Sequence, residues 1–379
     1  MSSFSPPERL LLGPGPSPVT SRVRTAMAAP TVGHLDPTFT ALMDVVKRKL
    51  RIAFSTINEV TFPLSGPGSV GMEAAFVNLV EPGDEVVVCR NGVFGGRMAQ
   101  VAERCGARVV LVDGPWGRAV DPGQLEQSLR EHPEAKVVAF VHAETSTGAL
   151  SDAEALAAVA HEHGCLTIVD AVTSLGGVEL EVDRWGLDVV YSGTQKCLSC
   201  PPGLSPITFN EAACEVVQNR THPVQSWFLD LGAVISYWSG EGGRTYHHTA
   251  PVNAIYGLNE ALTILEEEGL HACWRRHLNN HGRLVDGLAN LGLELMVPID
   301  ERLPVLHSVR VPDDVDEAEV RRHLLADHDI EIGAGLGELA GKVWRIGLMG
   351  AASTPETVER CLVALGEVLG QLRNGSKVA

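Results

Sequence analysis

Several features that define other classes of protein are scarce in this sequence. Basic residues are few: the sequence has 30 lysines and arginines against 47 aspartates and glutamates, so its formal net charge is −17. A surface of that sign repels phosphate backbones and anionic lipid, so we expect no nucleic-acid partner and no membrane partner. No apolar run approaches the roughly 20 residues that cross a bilayer. Eight cysteines in 379 residues do not make a disulfide scaffold, and residues 1–7 lack signal-peptide features, so we expect a cytoplasmic protein.

The residues that are present have an ordinary globular composition, with 45% hydrophobic and 20% charged residues. At roughly 100–200 residues per domain, the length predicts two or three domains. The middle of the chain alternates β-branched runs with helical patterns, which indicates an α/β fold with a mainly parallel sheet flanked by helices. We predict strands at 86–89, 108–112, 137–142, 166–170 and 188–192, and helices at 95–105, 122–131 and 152–163.

The two ends of the chain differ from this middle part. The first 25 residues are rich in proline and glycine and predict an extended arm. From about residue 275 the pattern changes to a smaller α+β domain, whose last helix has Thr354 as N-cap and Pro355 at its first position. Strands are predicted there at 293–297, 305–311 and 343–348, with a helix at 317–326. We therefore predict an N-terminal arm at 1–25, a large domain at 26–274 and a small domain at 275–379.

Two residues lie where a parallel sheet binds ligands, just beyond the carboxyl ends of its strands. Lys196 follows an apolar strand by a few residues, and Asp170 ends the preceding one. Taken alone, Lys196 is best interpreted as a surface lysine, and Asp170 could cap a helix or bind a metal. Together, on neighbouring strands, they indicate a pyridoxal phosphate (PLP) site, in which the carboxylate partners the pyridinium nitrogen.

Residues 65–71, Ser-Gly-Pro-Gly-Ser-Val-Gly, join a β-prone stretch to an apolar helix. A glycine-rich turn that opens a helix offers backbone N–H groups to a phosphate. The glycines also match the dinucleotide fingerprint G-x-G-x-x-G, which requires an acidic residue at the carboxyl end of the next strand. Asp84 and Glu85 precede that strand and lie at its wrong end, so we interpret the segment as a phosphate site and not as a dinucleotide site.

Three other patterns have competing interpretations. Cys197 and Cys200 form a C-x-x-C, but no second pair exists and two prolines follow, which favours buried thiols over a redox or metal site. His161 and His163 lack the spacing of a zinc site, so we predict no metal. Arg345 lies within an apolar strand and needs an anionic partner, which could be a substrate carboxylate or a structural ion pair.

Eight segments in order carry a resemblance to a known family. They are 11–17 (Leu-Leu-Gly-Pro-Gly-Pro-Ser), 65–75, 91–95 (Asn-Gly-Val-Phe-Gly), 142–148 (His-Ala-Glu-Thr-Ser-Thr-Gly), 169–174 (Val-Asp-Ala-Val-Thr-Ser), 192–196 (Ser-Gly-Thr-Gln-Lys), 246–249 (Tyr-His-His-Thr) and 345–348 (Arg-Ile-Gly-Leu). With these segments the chain resembles the class V aminotransferases of PLP fold type I, in the alanine–glyoxylate and serine–pyruvate (or serine–glyoxylate) branch. The resemblance implies a large PLP-binding domain and a smaller C-terminal domain.

The resemblance also implies roles for particular residues. Lys196 would form the internal aldimine with PLP and then act as general base, Asp170 would keep the pyridine nitrogen protonated, and Arg345 would bind the substrate α-carboxylate. Gly13 would line the substrate pocket through its backbone. The other cofactor contacts implied are Gly68, Ser69 and Gln195 at the phosphate, Phe94 and Val172 on the two ring faces, Thr145 at the cofactor edge, and Tyr246 and Thr249 reaching the phosphate of the partner subunit.

The activity that this resemblance implies is a transaminase that moves the amino group of alanine or serine to glyoxylate or pyruvate. Shared phosphate contacts imply a homodimer with two-fold symmetry. The alternatives are another fold type I enzyme (a lyase, a desulfurase or a pyridoxamine–pyruvate aminotransferase), a nicotinamide-dependent dehydrogenase and a non-catalytic PLP-domain regulator. Desulfurases usually carry a histidine near the lysine, whereas Thr194 and Gln195 precede Lys196 here.

Overall fold

The computed structural model describes residues 4–238 and 244–375. The strands are β1 (Leu10–Leu11), β2 (Val60–Ser65), β3 (Glu85–Arg90), β4 (Arg108–Asp113), β5 (Ala135–Val141), β6 (Ala143–Glu144), β7 (Ala149–Leu150), β8 (Leu166–Asp170), β9 (Val189–Tyr191), β10 (Leu204–Phe209), β11 (Leu306–Arg310), β12 (Ile330–Glu331), β13 (Gly333–Ala334) and β14 (Val343–Gly347).

The helices that connect these strands are α1 (Ser21–Met27), α2 (Pro37–Phe54), α3 (Gly68–Leu79), α4 (Val93–Arg104), α5 (Pro122–Glu131), α6 (Ala153–Glu162), α7 (Glu211–Gln218), α8 (Leu231–Trp238), α9 (Val252–Glu268), α10 (Leu270–Asn290), α11 (Glu317–His328) and α12 (Pro355–Gly375). Short 3₁₀ helices occur at Ile299–Glu301, Gly337–Leu339 and Gly350–Ala352. Within the described ranges, no helix is long and apolar enough to cross a membrane.

A seven-stranded sheet in the order β2-β10-β9-β8-β5-β3-β4 forms the centre of the described chain. Neighbouring strands are parallel except at β10, which is antiparallel to both β2 and β9. In β3, four consecutive residues (86–89) are fully buried, so both faces of this strand are covered. The predicted mainly parallel α/β sheet is confirmed, and its predicted strands agree with the observed bounds to within two residues.

The predicted strand at 293–297 is wrong. This segment meets the edge of β11 through a single bridge between Leu295 and Val309, with one backbone hydrogen bond on each side of it. Pro298 follows and has no N–H group with which to continue a ladder. The segment is therefore too short to form a strand, although its apolar side chains still pack: Leu293 and Val297 are both buried.

The predicted extended arm at 1–25 is also wrong in its last part, because α1 begins at Ser21. The Thr20 hydroxyl accepts a hydrogen bond from the Val23 amide at 3.3 Å and caps this helix. Val23 is fully buried in the main core, which stabilises the helix against α9. Residues 4–20 of the arm contain no helix, and its strand β1 pairs in parallel with β12.

Two larger hydrophobic cores organise the described residues. The first contains the central sheet and the helices that cover it, from Val23 to Cys273. The second joins Leu12 of the arm to apolar side chains between Leu284 and Leu369. Thr354 caps α12 as predicted, since its hydroxyl accepts the Thr357 amide at 3.2 Å. The domain boundaries at 25 and 274 stay a prediction.

Candidate active site

The carboxyl ends of several central strands surround one cavity of about 230 Å³. Because β2, β3, β5, β8 and β9 run in the same direction, the segments that follow them meet at one edge of the sheet. Eight of the residues predicted from the sequence line this cavity, namely Gly68, Ser69, Phe94, Thr145, Asp170, Val172, Gln195 and Lys196. Further lining residues are Pro67, Met72, Arg97, Val141, Ala143 and Thr173.

Lys196 is buried, with 8% of its surface exposed, and its amine donates a hydrogen bond to the Pro14 carbonyl of the arm. Burial lowers the pKa of this amine to about 8, because a charged ammonium is poorly solvated there. Near neutral pH about a tenth of Lys196 is thus uncharged, far more than for a lysine with the ordinary pKa of about 10.4. That is the state in which a lysine can act as a nucleophile or as a base.

Asp170 ends β8 inside the same cavity. One of its oxygens accepts the Val172 amide at 2.9 Å, and the other accepts the Tyr191 hydroxyl at 2.8 Å. Burial raises the pKa of Asp170 to about 6. Within the described part of the chain no cation forms an ion pair with this carboxylate, so it can accept a positively charged donor from a bound group.

Tyr191 is a neighbour of Asp170 that the sequence motifs do not indicate. It pairs with Asp170 in the parallel ladder between β8 and β9, and its ring is fully buried. Burial beside a carboxylate raises its pKa well above the ordinary value, so the hydroxyl remains a donor. The register between two strands is the information that locates this contact, and a single sequence does not contain it.

The glycine-rich turn predicted to bind phosphate leads into α3, which begins at Gly68. Its N-cap, Pro67, supplies no side-chain hydrogen bond to the first turn. A Cβ atom on Gly68 would lie 2.9 Å from a methyl of Val172, so only glycine allows the helix to begin this close to the strand ends. Gln195 lies beside this turn, and its Oε1 atom is buried without a partner in the described residues. The arrangement suits an anionic group at the helix N-terminus.

Phe94 forms one wall of the cavity and Val172 lines it as well. Phe94 is the second residue of α4, and the guanidinium of Arg97 lies 5.0 Å from its ring centroid. This cation–π contact restrains the ring from the side of the helix. A flat ring bound in the cavity therefore finds one aromatic wall whose position is fixed by α4.

Arg345 lies in β14, outside the cavity lining but joined to it. Its Nε donates to the Ala334 carbonyl at 2.7 Å and its Nη1 donates to the Thr145 carbonyl at 3.0 Å. No carboxylate in residues 4–238 or 244–375 forms an ion pair with it, so the predicted alternative of a structural salt bridge is not observed there. Burial lowers the pKa of Arg345 to about 10, which still leaves it charged at neutral pH.

The N-terminal arm passes between Lys196 and Arg345. A Cβ on Gly15 would lie 2.8 Å from the Lys196 Nζ, and Gly15 has a positive φ of 106° that only glycine adopts without strain. Gly13 lies against β14, because a Cβ on Gly347 would lie 2.3 Å from the Gly13 carbonyl oxygen. The arm thus leaves little space beside the lysine.

Tyr246 and Thr249 do not line the cavity of their own chain. Both side chains are exposed, Tyr246 to 60%. Between them, His248 accepts or donates a hydrogen bond with the Ser65 hydroxyl at 2.7 Å, which places this loop beside the glycine-rich turn. Trp227, 69% exposed, stacks on His247 at 4.8 Å. Tyr246 and Thr249 of the loop, with Trp227 beside it, therefore face outwards.

Metal ligands are not grouped in the described residues, where no cluster of three histidines, cysteines or acids is placed to hold an ion. His161 instead contacts the Asp188 carboxylate at 2.9 Å. Cys197 and Cys200 are buried free thiols, and burial raises the pKa of each to about 12. These thiols are protonated at neutral pH and are poor nucleophiles or metal ligands.

Fold and site together define an α/β protein with a buried lysine and a buried aspartate in one cavity at the carboxyl edge of its sheet. The family profile described as Aminotransferase class-V matches residues 21–360 of the chain. The chain belongs to this family and is an enzyme of the aminotransferase type, which confirms the resemblance noted in the sequence.

Named relatives lie close on both sequence and structure. An alanine–glyoxylate aminotransferase of Rattus norvegicus is 40% identical over 97% of this chain and 89% of its own length. An (S)-ureidoglycine–glyoxylate transaminase of Bacillus subtilis (strain 168) is 36% identical over 96% of this chain and 91% of its own. The crystal structure of an alanine–glyoxylate aminotransferase from Nostoc sp. is 47% identical, covers 97% of both chains and has a TM-score of 0.95.

Proposed function

We propose that this chain is a PLP-dependent transaminase that transfers the amino group of a small L-amino acid, alanine or serine, to glyoxylate or pyruvate. The observation that carries the proposal is the placement of Lys196 and Asp170 in one cavity with Arg345 bonded to its wall. Glyoxylate is the acceptor that the names of both groups of relatives share, which makes it the first acceptor to test.

The residues of the cavity fit PLP. Asp170 is a buried carboxylate with two neutral donors and space for a cationic pyridine N–H. The N-terminus of α3, from Gly68, would hold the phosphate, together with Ser69 and Gln195. Phe94 and Val172 would enclose the ring, Thr145 would lie at its edge, and Lys196 would hold the cofactor at its aldehyde.

Bound PLP would supply an electron sink for the charge that develops on the substrate α-carbon. The chain's own part is to position and to move a proton. Arg345 holds the substrate carboxylate and so sets which bond at the α-carbon stands perpendicular to the ring. The Lys196 amine, whose pKa burial lowers to about 8, would take the α-proton in its uncharged form and return it on the cofactor side. Asp170 keeps the ring nitrogen protonated.

The walls around Lys196 and Arg345 favour a small substrate. Backbone of the arm at Pro14 and Gly15 contacts the lysine, and Gly333 packs so closely that a Cβ there would lie 2.4 Å from Pro14. The position of this backbone beside Lys196 supports a substrate with a small side chain. Arg345 is held at the cavity wall by its hydrogen bond to the Thr145 carbonyl, and Arg97 also lines the cavity with its guanidinium over the Phe94 ring.

We further propose a homodimer in which Tyr246 and Thr249 reach the phosphate of the partner subunit. Their exposure, and that of Trp227 and Phe228 beside them, supports burial against a second copy. We also propose a cytoplasmic location, which the eight free cysteines support.

An absorbance titration tests the activity. The purified protein with PLP should show a visible band that bleaches with L-alanine or L-serine and returns with glyoxylate or pyruvate. The rates of the two half-reactions would rank the donors and the acceptors. (S)-Ureidoglycine and pyridoxamine should be included as donors, because related proteins use other donors. A protein that stays colourless with PLP, or one that releases sulfide from cysteine instead of exchanging amino groups, would overturn the proposal.

Mixed dimers test the shared site. Thr249→Ala and Lys196→Ala should each be poorly active alone. In a mixed dimer, one site combines the intact Lys196 of one chain with the intact Thr249 of the other, so mixing should restore one site per dimer. Activity that reappears after the two inactive proteins exchange subunits supports contacts across the interface. A monomer by light scattering, or mixtures that remain inactive although mixed dimers form, would exclude this arrangement.

A further inference from the structure

The first turn of α4 has an unusual cap. A helix begins with backbone N–H groups that have no partner inside the helix, and a side chain of the N-cap residue normally accepts one of them. Here the N-cap is Gly92, which has no side chain and makes no capping hydrogen bond. The N–H groups of Val93, Phe94 and Gly95 therefore need acceptors from elsewhere in the chain.

Glu144 and Ser146, from the segment after β5, supply those acceptors. The Ser146 hydroxyl accepts the Val93 amide at 2.9 Å. One Glu144 oxygen accepts the amides of Phe94 at 3.1 Å and Gly95 at 3.4 Å. The other oxygen accepts the Ser146 hydroxyl at 2.6 Å and the Ser146 amide at 3.0 Å. A single carboxylate thus ties the first turn of the helix to the cavity wall.

Only an acceptor with two free oxygens suits this position. All four partners of Glu144 present hydrogens, so a carboxylate satisfies them, whereas a glutamine amide would turn an N–H₂ group towards donors. Glu144 is fully buried, and burial raises its pKa while the four donors oppose that rise. Gly92 leaves the space for it, since a Cβ there would lie 2.5 Å from the Glu144 carboxyl carbon.

The consequence for the active site follows from what α4 carries. Phe94 is the second residue of the helix, and its ring forms a wall of the cavity. The residue next to Glu144 is Thr145, which lines the cavity and whose carbonyl accepts a hydrogen bond from Arg345. We propose that Glu144 is a positioning residue, which fixes the Phe94 ring for stacking on PLP by holding the first turn of α4 from the wall that also anchors Arg345.

This proposal rests on the proposed function, so PLP affinity and bound-PLP spectra are the informative measurements. Glu144→Gln keeps the shape and removes the second acceptor. Asp188→Asn is the matched control, because Asp188 is also a buried carboxylate with four hydrogen-bond partners, including the Thr167 amide at 2.8 Å and the His161 ring at 2.9 Å, but lies outside the cavity lining. Ser146→Ala is a milder second variant should Glu144→Gln not fold.

Relative to the wild-type protein, Glu144→Gln should weaken PLP binding about tenfold and reduce the visible circular dichroism of the bound cofactor, as expected for one lost charge-assisted hydrogen bond next to the ring wall. Hydrogen exchange at the amides of 93–95 should accelerate in the cofactor-free variant. Asp188→Asn should lower the melting temperature without either change.

If Glu144→Gln and Ser146→Ala lower only the melting temperature, as Asp188→Asn does, and leave PLP affinity and visible dichroism at wild-type values, the positioning role is wrong. Failure of the wild-type protein to bind PLP would instead overturn the proposed function. Hydrogen exchange at the amides of 93–95 distinguishes failure of the positioning role from failure of the proposed function, because it measures the capping of α4 in the absence of cofactor.

Discussion

Replacing Arg345 with glutamine tests substrate recognition most directly. Two of the five N–H groups of this arginine are bonded to the Ala334 and Thr145 carbonyls, at 2.7 and 3.0 Å, so three remain for a ligand. These two backbone bonds hold the guanidinium plane in place before substrate arrives. A carboxylate that binds in a bidentate manner would form two charge-assisted hydrogen bonds.

The magnitude follows from those two bonds. At about 1.5 kcal/mol each, their loss costs about 3 kcal/mol, or somewhat more than a hundredfold in kcat/KM for alanine. Most of the loss should fall on KM, since the carboxylate is present in the ground state as well as in the transition state. Arg302→Gln is the control, because Arg302 is a partly buried arginine that is likewise bonded to a backbone carbonyl, that of Val297 at 3.0 Å.

A pair of carbonyl reagents makes the assay specific. Aminooxyacetate carries a carboxylate and O-methylhydroxylamine does not, and both react with enzyme-bound PLP with a change in absorbance. Arg345→Gln should slow capture by aminooxyacetate about a hundredfold and leave capture by O-methylhydroxylamine near the wild-type rate. Equal slowing of the two reagents, or a KM for alanine equal to that of the wild type, would refute carboxylate binding by Arg345.

Four further outcomes are expected. In Lys196→Ala, borohydride should no longer attach PLP covalently to the protein. Borohydride labelling of another lysine in this variant, at the wild-type level, would contradict the role of Lys196. The wild-type protein should capture PLP faster as the pH rises through about 8, because the lowered pKa of Lys196 makes the uncharged amine dominant above that value; a flat stopped-flow profile between pH 6.5 and 9 would oppose this. Asp170→Asn should reduce kcat by about a hundredfold or more with PLP still bound, since the ring nitrogen loses its counter-charge; near-normal turnover would count against it. Gly15→Ala should lower the affinity for PLP, because the added methyl group would clash with the Lys196 side chain. An unchanged affinity would show that the arm moves to accommodate the methyl group.

Much of the sheet was predictable because each buried strand is a continuous apolar run, whereas the apolar residues of the neighbouring helices recur with the helical period. The positions of Lys196 and Asp170 followed from the rule that ligands bind beyond strand ends. The strand predicted at 293–297 failed because apolar composition alone does not reveal whether a pairing edge is available. The helix at Ser21–Met27 was missed because the proline and glycine before it suggested extended chain throughout.

The parts of the site that were not predictable depend on contacts between distant segments. Tyr191 meets Asp170 through strand register, and Glu144 meets Phe94 across a separation of 50 residues. Arg345 joins the Thr145 carbonyl over a separation of 200 residues. A single sequence indicates residue types and local periods, but these pairings are set by the packing of the sheet. Motif resemblance supplied the roles of Gly13, Tyr246 and Thr249, which stay predictions.

The pairing of β1 with β12 has a consequence for how the protein matures in a cell. The arm is synthesised first, yet Arg9 of the arm meets Asp329, 320 residues later. At about 5–20 residues per second, the ribosome needs about 16–64 s to make the intervening chain. During that time Lys196 emerges without the Pro14 carbonyl in place, because the strand that anchors the arm has not yet been made. The complete pocket can therefore form only near the end of synthesis, after β12 has been made. A ligand can bind to the complete pocket only from that point on.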